Sequence, residues 1–401
     1  MKSKKTSSSD TKTLLTRGVH EIVDEAHLKK RLKIGKPLRV KLGIDPTSPN
    51  IHLGRVIPLL KLRDFQEMGH KVILIIGDFT GLIGDTSDKE SERPMLTEDQ
   101  VALNAKTYIE QAGKIIDIKS AEIYYNREWL SDLRYMDIGR QADIFSINEF
   151  ISRENIAKRL KSGKRVSLRE VLYPLMQGYD SVRVKADVEI GGTDQRFNLL
   201  AGRDLQRLYS QEPQDIITNP LIEGLDGRKM SSSYGNTINL TDSSDDMFGK
   251  VMSLKDDLII QYFNLLTRIN LGVVEKYEKE LKSGTNPRDI KLKLAFEITK
   301  IFHGEDGAKS GQKNFEQVIQ SKKTPSDVED VFVSKAEMNI VDLLVFAKLA
   351  ASKSEARRLI EQKAIKIDGE AVTEISSVKI TLRGFILQRG VRRFARVSKA
   401  K

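Results

Sequence analysis

The feature that most constrains the fold is a strand–helix–strand unit near the N-terminus. The segment PLRVKLGID alternates Leu38, Val40, Leu42 and Ile44 with polar residues and glycine, which is the two-residue period of a strand. The turn PTSPN and an amphipathic helical pattern follow, and KVILIIGD then has the unbroken apolar run of a strand buried on both faces. Strands joined by a helix at this spacing form a right-handed crossover. We therefore predict a doubly wound, Rossmann-type α/β domain with a parallel sheet.

Later segments extend this prediction along the chain. VRVKADVEI is predicted to be another strand, and a diglycine and a helix from Gln195 to about Tyr209 follow it. From Leu254 onward the pattern is helical, with Asn286 as an N-cap, Pro287 at the first helical position and Gly304 just past the end. Near the C-terminus, SKSEARRLIEQ opens with a predicted capping box, and AIKIDGEAV predicts a hairpin that turns at Asp-Gly.

These patterns predict five segments. They are a basic tail at 1–12, a Rossmann-type catalytic domain at 13–245, a helical domain at 246–304, a linker rich in Gly, Lys, Ser and Asp at 305–336, and a small α+β domain at 337–401.

Composition excludes several kinds of site and places the positive charge. The chain has no cysteine, which excludes disulfides, thiol catalysis and thiolate metal sites, and its five histidines are scattered. The absence of cysteine fits a cytoplasmic enzyme, which we expect. No apolar run approaches the ~20 residues of a membrane helix. Of the net charge of +11, the C-terminal segment 338–401 contributes 14 Lys and Arg against 6 Asp and Glu. A basic module at one end predicts a polyanionic partner there.

The histidine in IDPTSPNIHLGR stands at the mouth of a predicted helix. Open α/β sheets bind ligands beyond the carboxyl ends of their strands, and a helix N-terminus favours phosphate. His52 can donate a hydrogen bond to a phosphate oxygen, and Gly54 lets a bulky group lie against the backbone. The alternative is that His52 only caps the helix. A second stretch, GRKMSSS, carries a lysine and small hydroxyl residues, which suits a polyphosphate clamp or simply a flexible surface loop.

Together the two stretches resemble the paired signatures of class I aminoacyl-tRNA synthetases. HLGR and KMSSS match these signatures except for Arg55 and Ser232. The motifs GIDPT, GDFTGLIGD, YPLMQGYD, EIGGTDQ and KMSSS occur in the order and spacing of the bacterial tyrosyl-tRNA synthetase family. The resemblance extends from about Leu38 to the C-terminus, where the basic end is similar to a small RNA-binding domain of a ribosomal protein.

The resemblance implies a role for each matching residue. It implies catalytic groups at Thr47, His52, Lys89, Arg93 and Lys229. It implies tyrosine-binding residues at Lys41, Gly43, Asp85, Asn126, Tyr173, Gln177, Asp180 and Gln195, with Asp180 receiving the phenol hydroxyl. It implies ATP-binding residues at Asp45, His52, Gly54, Gly192, Asp194, Lys229, Met230, Ser231 and Ser232, and tRNA-binding residues at Lys353, Arg357 and Arg358.

Two residue patterns bear on these roles directly. Tyr173, Gln177 and Asp180 have the spacing of one helix face, on a helix that Pro174 should kink or interrupt. Lys41 stands where many tyrosyl enzymes have a tyrosine that helps bind the substrate hydroxyl. A lysine cannot repeat that contact in the same way, so it either contacts the substrate differently or is a solvated strand residue.

The implied reaction attaches tyrosine to tRNA(Tyr) through a tyrosyl-adenylate. The expected cofactors and partners are ATP with Mg²⁺, tyrosine, tRNA(Tyr) and a second copy of the chain in a homodimer; we expect no dedicated protein metal site and no membrane. Three alternatives remain: a tryptophanyl-tRNA synthetase, a catalytically inactive RNA-binding protein derived from a synthetase, and a small-molecule adenylating ligase that shares the two signatures.

Overall fold

The structure is a computed structural model of the 401-residue chain, and it describes residues 8–85, 95–321, 328–362, 364–390 and 393–400. Within these ranges the strands are β1 (Glu21–Val23), β2 (Arg39–Ile44), β3 (Lys71–Ile76), β4 (Glu122–Tyr125), β5 (Val188–Gly192), β6 (Asp215–Asn219), β7 (Glu329–Val333), β8 (Glu337–Asn339), β9 (Ile365–Ile367), β10 (Glu370–Ala371), β11 (Ser377–Lys379), β12 (Phe385–Arg389) and β13 (Arg393–Lys399).

The helices within the same ranges are α1 (Ser8–Thr16), α2 (Glu25–Ile34), α3 (Leu53–Glu67), α4 (Thr80–Ile83), α5 (Glu98–Ala112), α6 (Arg127–Leu130), α7 (Tyr135–Asp143), α8 (Ile147–Ile151), α9 (Glu154–Lys161), α10 (Leu168–Val184), α11 (Arg196–Leu208), α12 (Ser244–Met252), α13 (Ile259–Leu266), α14 (Leu271–Lys282), α15 (Pro287–Ser321), α16 (Ile340–Phe346) and α17 (Lys353–Glu361). No helix in the described ranges is both long enough and apolar enough to span a bilayer.

The chain divides into two compact units, Met1–Ala308 and Lys309–Lys401. The first unit contains a six-stranded sheet in the order β1-β6-β5-β2-β3-β4, in which only the edge strand β1 is antiparallel to its neighbour. Strand β3 is almost completely buried, as its apolar run predicts. The Rossmann-type prediction for this part of the chain is confirmed.

The second unit is a small α+β body. Its five-stranded sheet has the order β10-β9-β12-β13-β7, and a separate pair joins β11 to β8. Helices α16 and α17 contribute Leu343, Leu344 and Ile360 to its apolar core. The predicted hairpin is present: β9 and β10 pair antiparallel, and both turn residues, Asp368 and Gly369, have positive φ.

Three expectations about boundaries are wrong. The segment 305–321 is helical and not a linker, because only Gly304 leaves helical geometry inside α15, with φ 72. The C-terminal sheet begins at β7, ahead of the expected boundary, because β7 pairs with the distant strand β13. The basic tail is helical from Ser8, and residues 1–7 and 322–327 lie outside the described ranges.

The predicted strand VRVKADVEI is half helix. Residues up to Val184 complete the last turn of α10, and Lys185 ends that helix in the left-handed conformation with φ 50. Strand β5 starts only at Val188. Pro174 does not interrupt α10, which is continuous from Leu168 to Val184.

Helices α10 and α11 pack closely because Gly178 has no side chain. A Cβ at Gly178 would lie 2.8 Å from Leu205 Cδ1 and 3.1 Å from the backbone of Ala201. Across this close contact Asn198 Nδ2 of α11 donates to Gln177 Oε1 of α10 at 3.0 Å.

Gly178→Ala should therefore destabilise the first unit. The added methyl group overlaps backbone atoms that cannot move independently, and overpacking of this kind costs ~1–3 kcal/mol of unfolding free energy. Urea unfolding followed by circular dichroism measures the effect. Gly139→Ala in α7 is the matched control, because a Cβ there meets nothing within 4 Å. Equal unfolding midpoints for Gly178→Ala and the wild type would contradict the packing argument.

Candidate active site

The candidate site is a cavity of about 410 Å³ at the carboxyl ends of β2 and β5. These adjacent strands lie where the strand order reverses, the usual ligand position in an open parallel sheet. The structure brings most of the predicted residues together in its lining: Gly43, Asp45, Thr47, His52, Gly54, Asp85, Asn126, Tyr173, Gln177, Asp180, Gly192, Asp194, Gln195, Lys229, Met230, Ser231 and Ser232. Their individual roles stay predictions.

At one end of the cavity two buried donors hold the carboxylate of Asp180. The indole Nε1 of Trp129 donates to Oδ1 at 2.8 Å, and Nδ2 of Asn126 donates to Oδ2 at 3.2 Å. Asn126 also donates to Thr80 Oγ1 at 2.9 Å, which fixes the direction of its amide. Asp180 is only 3% exposed, so it is an oriented acceptor in a nearly dry position.

Burial raises the pKa of Asp180 to about 7, and the nearby Lys41, Trp129 and Asn126 act in the opposite direction. The carboxyl group thus changes charge close to neutral pH. Its ionised form accepts hydrogen bonds only, which suits a ligand hydroxyl that donates.

Asp45, at the end of β2, accepts two hydrogen bonds at the side of the cavity. Tyr173 Oη donates to its Oδ2 at 2.8 Å, and Thr80 Oγ1 donates to its Oδ1 at 2.6 Å. Burial and the neighbouring Asp45 and Asp85 raise the pKa of Tyr173 well above its usual value. Tyr173 is therefore a neutral phenol in this site, with lone pairs that can accept from a cation.

A chain of amides connects α10 to Asp85. Asn198 Nδ2 donates to Gln177 Oε1 at 3.0 Å and to Gln195 Oε1 at 3.1 Å. Gln195 Nε2 in turn donates to Asp85 Oδ2 at 2.7 Å. The two glutamine carbonyl oxygens and the Asp85 carboxylate form a group of acceptors, which suits a ligand ammonium group.

Lys41 is neither solvated nor part of the cavity lining. Its side chain is 0% exposed, and its ammonium group lies 2.9 Å from Glu189 Oε1 on the adjacent strand. It also donates to Ser181 Oγ at 2.7 Å and to the carbonyl oxygen of Gln177 at 3.1 Å. The expectation of a solvated residue is wrong, because Glu189 provides a buried counter-charge. The predicted contact of Lys41 with the substrate is not supported either, because the cavity lining does not include Lys41.

The opposite end of the cavity contains the N-terminus of α3. His52 is the N-cap residue, and its side chain does not cap the helix. A Cβ at Gly54 would lie 3.1 Å from the imidazole ring, so the glycine makes room for it. The backbone of His52 forms an antiparallel bridge with Asn239, which connects the start of α3 to the segment that follows KMSSS. The N-terminus of α3 and an imidazole thus meet at this end of the cavity.

Arg55 occupies the last position of the HLGR motif. Its guanidinium donates to the Asp45 carbonyl oxygen at 2.9 Å, to Tyr108 Oη at 2.8 Å and to Thr47 Oγ1 at 3.0 Å. These acceptors are all neutral. The positive charge therefore remains available to an anion in the cavity, beside Thr47.

The KMSSS segment forms the facing wall. Lys229 Nζ lies 2.8 Å from Asp194 Oδ2, and the pair is partly exposed. Asn236 holds the segment, because its Oδ1 accepts from Ser231 N at 2.9 Å and its Nδ2 donates to the Lys229 carbonyl oxygen at 3.1 Å. Lysine on a short, tethered segment can reach a polyphosphate. Lys89 and Arg93 fall in 86–94, outside the described residues.

Sequence reasoning did not identify several residues of the site. Trp129 is the chain's only tryptophan, and this rarity was a usable signal. Thr80 lies within the quoted motif GDFTGLIGD, where its hydroxyl could have been singled out. Glu189 is the first residue of the quoted motif EIGGTDQ, where it too could have been singled out. Asn198 carried no local signal, because its partner Gln177 comes from another element.

The predicted RNA-contacting residues lie on α17 in the second unit. Ser352 accepts from Glu355 N at 3.2 Å, whereas Glu355 accepts from Ala351 N at 2.7 Å, so the predicted capping box is only half formed. Lys353 is exposed and lies 2.7 Å from Asp342, which partly neutralises it. Arg357 and Arg358 are exposed, so they present the charge of this helix to solvent.

A family model described as class I tRNA synthetases (W and Y) matches residues 33–320, and one described as the tyrosine–tRNA ligase SYY-like C-terminal domain matches residues 320–397. Solved structures agree on the fold: a mitochondrial tyrosyl-tRNA synthetase of Aspergillus nidulans has a TM-score of 0.66 at 20% identity, covering 78% of this chain and 94% of that chain. The fold and the site thus define a class I aminoacyl-tRNA synthetase.

Similar curated proteins indicate which family within this class the chain belongs to. The tyrosine–tRNA ligase of Thermotoga maritima is 48% identical over 96% of both chains. The tyrosine–tRNA ligase of Methylococcus capsulatus is 45% identical over 97% of this chain and 99% of that protein. This chain belongs to the tyrosine–tRNA ligase family.

The raised pKa of Asp180 predicts a pH-dependent stability difference. Between pH 4 and about 7 the folded protein retains a proton on Asp180 that the unfolded chain releases, so this group makes the fold less stable as pH rises. In Asp180→Asn that contribution is absent. The unfolding free energy of the variant, relative to wild type, should increase from pH 4 to 7 and level off above. Urea unfolding across this range measures it, and a constant difference would contradict the assignment.

Proposed function

We propose that the protein activates L-tyrosine with ATP to tyrosyl-adenylate and then transfers the tyrosyl group to tRNA(Tyr). The observation that carries this proposal is the Asp180 carboxylate, aimed into the cavity by Trp129 and Asn126. A carboxylate held in this way is a fixed acceptor for a phenol hydroxyl, a donor that phenylalanine lacks. The alternative of tryptophan is not favoured, because the similar curated proteins are tyrosine–tRNA ligases.

The cavity suits tyrosine along its length. With its hydroxyl at Asp180, the amino acid places its α-ammonium group among Tyr173, Gln177 and Asp85, which together offer hydroxyl, amide and carboxylate oxygens. Its carboxylate then lies toward Gln195 and the phosphate-binding end. An ionised carboxylate needs no general base at neutral pH, since its pKa is ~3.5.

The first step is proposed to depend on position and charge. A carboxylate oxygen forms a bond to the α-phosphorus of ATP, the bond from that phosphorus to its bridging oxygen breaks, and pyrophosphate leaves. Thr47, His52 and Lys229 are proposed to stabilise the charge that develops on the phosphates, with Lys89 and Arg93. In the second step a ribose hydroxyl of the tRNA attacks the carbonyl carbon, and AMP leaves.

ATP is proposed to lie between α3 and KMSSS, where Asp45, Gly54, Gly192, Asp194, Met230, Ser231 and Ser232 line the cavity. Mg²⁺ is proposed to arrive bound to the phosphates. Among the described residues, each carboxylate of the cavity already has a protein donor: Asp45 binds Tyr173 and Thr80, Asp85 binds Gln195, and Asp194 binds Lys229. No dedicated protein site for the ion is proposed.

A homodimer is also proposed. Large apolar side chains are exposed in the chain segment that runs from β4 to β5. Among them are Tyr135 at 91%, Met136 at 68%, Ile147 at 60% and Leu168 at 66%. Exposed large apolar side chains concentrated in one segment of the chain support a protein interface there. The mass of the particle in solution tests this proposal.

A cytoplasmic location stays a prediction, supported by the absence of cysteine from the sequence.

Asp180→Ala tests the substrate. Without the carboxylate a buried phenol hydroxyl has no acceptor, at a cost of ~1–3 kcal/mol, so the preference for tyrosine over phenylalanine should fall by roughly 10- to 100-fold. ATP–pyrophosphate exchange with both amino acids measures it. Asp132→Ala, on the exposed surface, is the control and should retain the preference. An unchanged preference in Asp180→Ala would exclude Asp180 as the specificity residue.

Arg357→Glu tests the proposed tRNA contact. Because a phosphate contact depends on counterion release, tRNA affinity should fall, and the slope of log affinity against log salt should become shallower by ~1. Pyrophosphate exchange should stay at the wild-type rate, since that step needs no tRNA. Lys106→Glu, the same charge change on the exposed face of α5, is the control. If both variants bind tRNA like the wild type, α17 does not contact it.

A further inference from the structure

The buried ion pair of Lys41 and Glu189 lies directly behind the amino-acid end of the cavity. The two residues are register partners on the adjacent parallel strands β2 and β5, and both are 0% exposed. Lys41 has three acceptors for its three protons: Glu189, Ser181 Oγ and the Gln177 carbonyl oxygen. Burying this pair costs desolvation energy that an apolar pair would avoid. The residues that Lys41 and Glu189 contact indicate what the pair does for the site.

Glu189 accepts from four donors. Besides Lys41, they are Ser181 Oγ at 3.0 Å, Gln214 Nε2, and Gln177 Nε2 at 3.2 Å. An ionised carboxylate accepts and never donates. The amide of Gln177 must therefore turn its NH₂ group toward Glu189, since the opposite orientation would place two oxygens against each other.

The same constraint determines what Gln177 presents to the cavity. With its NH₂ group bound to Glu189, the amide directs Oε1 toward Asn198 Nδ2, 3.0 Å away, and one lone pair of that oxygen remains. Gln177 lines the cavity between Tyr173 and Asp180. The residue can then accept from a ligand ammonium group, whereas a flipped amide would oppose that cation with its own donors.

We propose that Lys41 and Glu189 are positioning residues that hold the Gln177 amide with its carbonyl oxygen toward the substrate's α-ammonium group, and so make the site selective for amino acids over analogues that lack this group. The inference rests on the proposed function, in which Gln177 meets the ammonium group. Lys41 provides the counter-charge of the Glu189 carboxylate, and Glu189 sets the direction of the amide.

A pair of ligands separates this role from a merely structural one. Tyrosinol retains the phenol and the ammonium group, and 3-(4-hydroxyphenyl)propan-1-ol has the same phenol and alcohol without the ammonium group. Neither can be adenylated through a carboxylate, so equilibrium binding is measured without turnover. Trp129 is the only tryptophan and binds Asp180, so its fluorescence in the full-length protein reports on occupancy; calorimetry provides an independent Kd.

In Glu189→Gln the side chain at 189 can donate as well as accept, and the Gln177 amide loses its imposed direction. Tyrosinol should bind roughly tenfold more weakly, the scale of one hydrogen bond to a charged group, whereas binding of the deamino ligand should change less than ~2-fold. Because Glu189→Gln leaves Lys41 buried without a counter-charge, Lys41→Met/Glu189→Gln is the second variant. It removes both charges and should show the same selective loss.

Arg159→Met/Glu170→Gln is the matched control. That pair is also buried, at 2% and 0% exposure, with 2.5 Å between Arg159 Nη1 and Glu170 Oε2, and Glu170 belongs to α10 as Gln177 does. It does not line the cavity. Loss of this pair should lower the unfolding midpoint without changing the ratio of the two ligand affinities.

The outcomes distinguish the inference from the proposed function. If the wild type binds both ligands equally, the ammonium site of the proposed function is wrong and the inference is overturned with it. If the wild type prefers tyrosinol and both Glu189 variants keep that preference, only the inference is overturned. An equal loss for both ligands also overturns it, because the pair would then support the fold and not the amide.

Discussion

Strands β2 and β5 pair through only two positions, Val40 with Val188 and Lys41 with Glu189, and then separate. The crossover from β2 continues to β3 on one side of the sheet centre, while β5 continues to β6 on the other. The space beyond the last pair is the cavity. Because both strands are buried within a parallel sheet, their ends are held rigidly, and the residues that follow them inherit defined positions.

The arrangement has an electrostatic consequence. The last cross-strand pair is ionic; Glu189 accepts from Gln177, and the charge of Lys41 acts on the buried carboxyl group of Asp180. A lysine at this point offsets two buried negative charges, those of Glu189 and Asp180, and it lowers the pKa that burial gives to Asp180. Polar groups on several elements are thus linked through one site, so that most buried donors and acceptors there have partners.

The phosphate end depends on a different constraint. Here the N-terminus of α3, the imidazole of His52 and the Arg55 guanidinium face the tethered KMSSS segment. Arg55 retains a net positive charge beside Thr47 because its partners in the described structure are neutral. The amino-acid end is therefore rich in acceptors and the phosphate end in donors, a polarity that matches an amino acid aligned with a polyphosphate.

The sequence alone determined the α/β class, the helix that begins at Leu53, the polar face of α10 and the C-terminal hairpin, because these follow from local periodicity, caps and turn residues. It also predicted most of the cavity lining through ordered motifs. Tertiary structure decided the rest. The segment 182–184 (VRV) is compatible with a strand or with a helix end by its sequence. It forms the last turn of α10 because Val182 and Val184 pack against the sheet. The membership of β7 in the C-terminal sheet depended on its pairing with the distant strand β13. Lys41 looked like a surface residue by its alternation in β2, and only its register with Glu189, 148 positions along the chain, made burial of its charge possible.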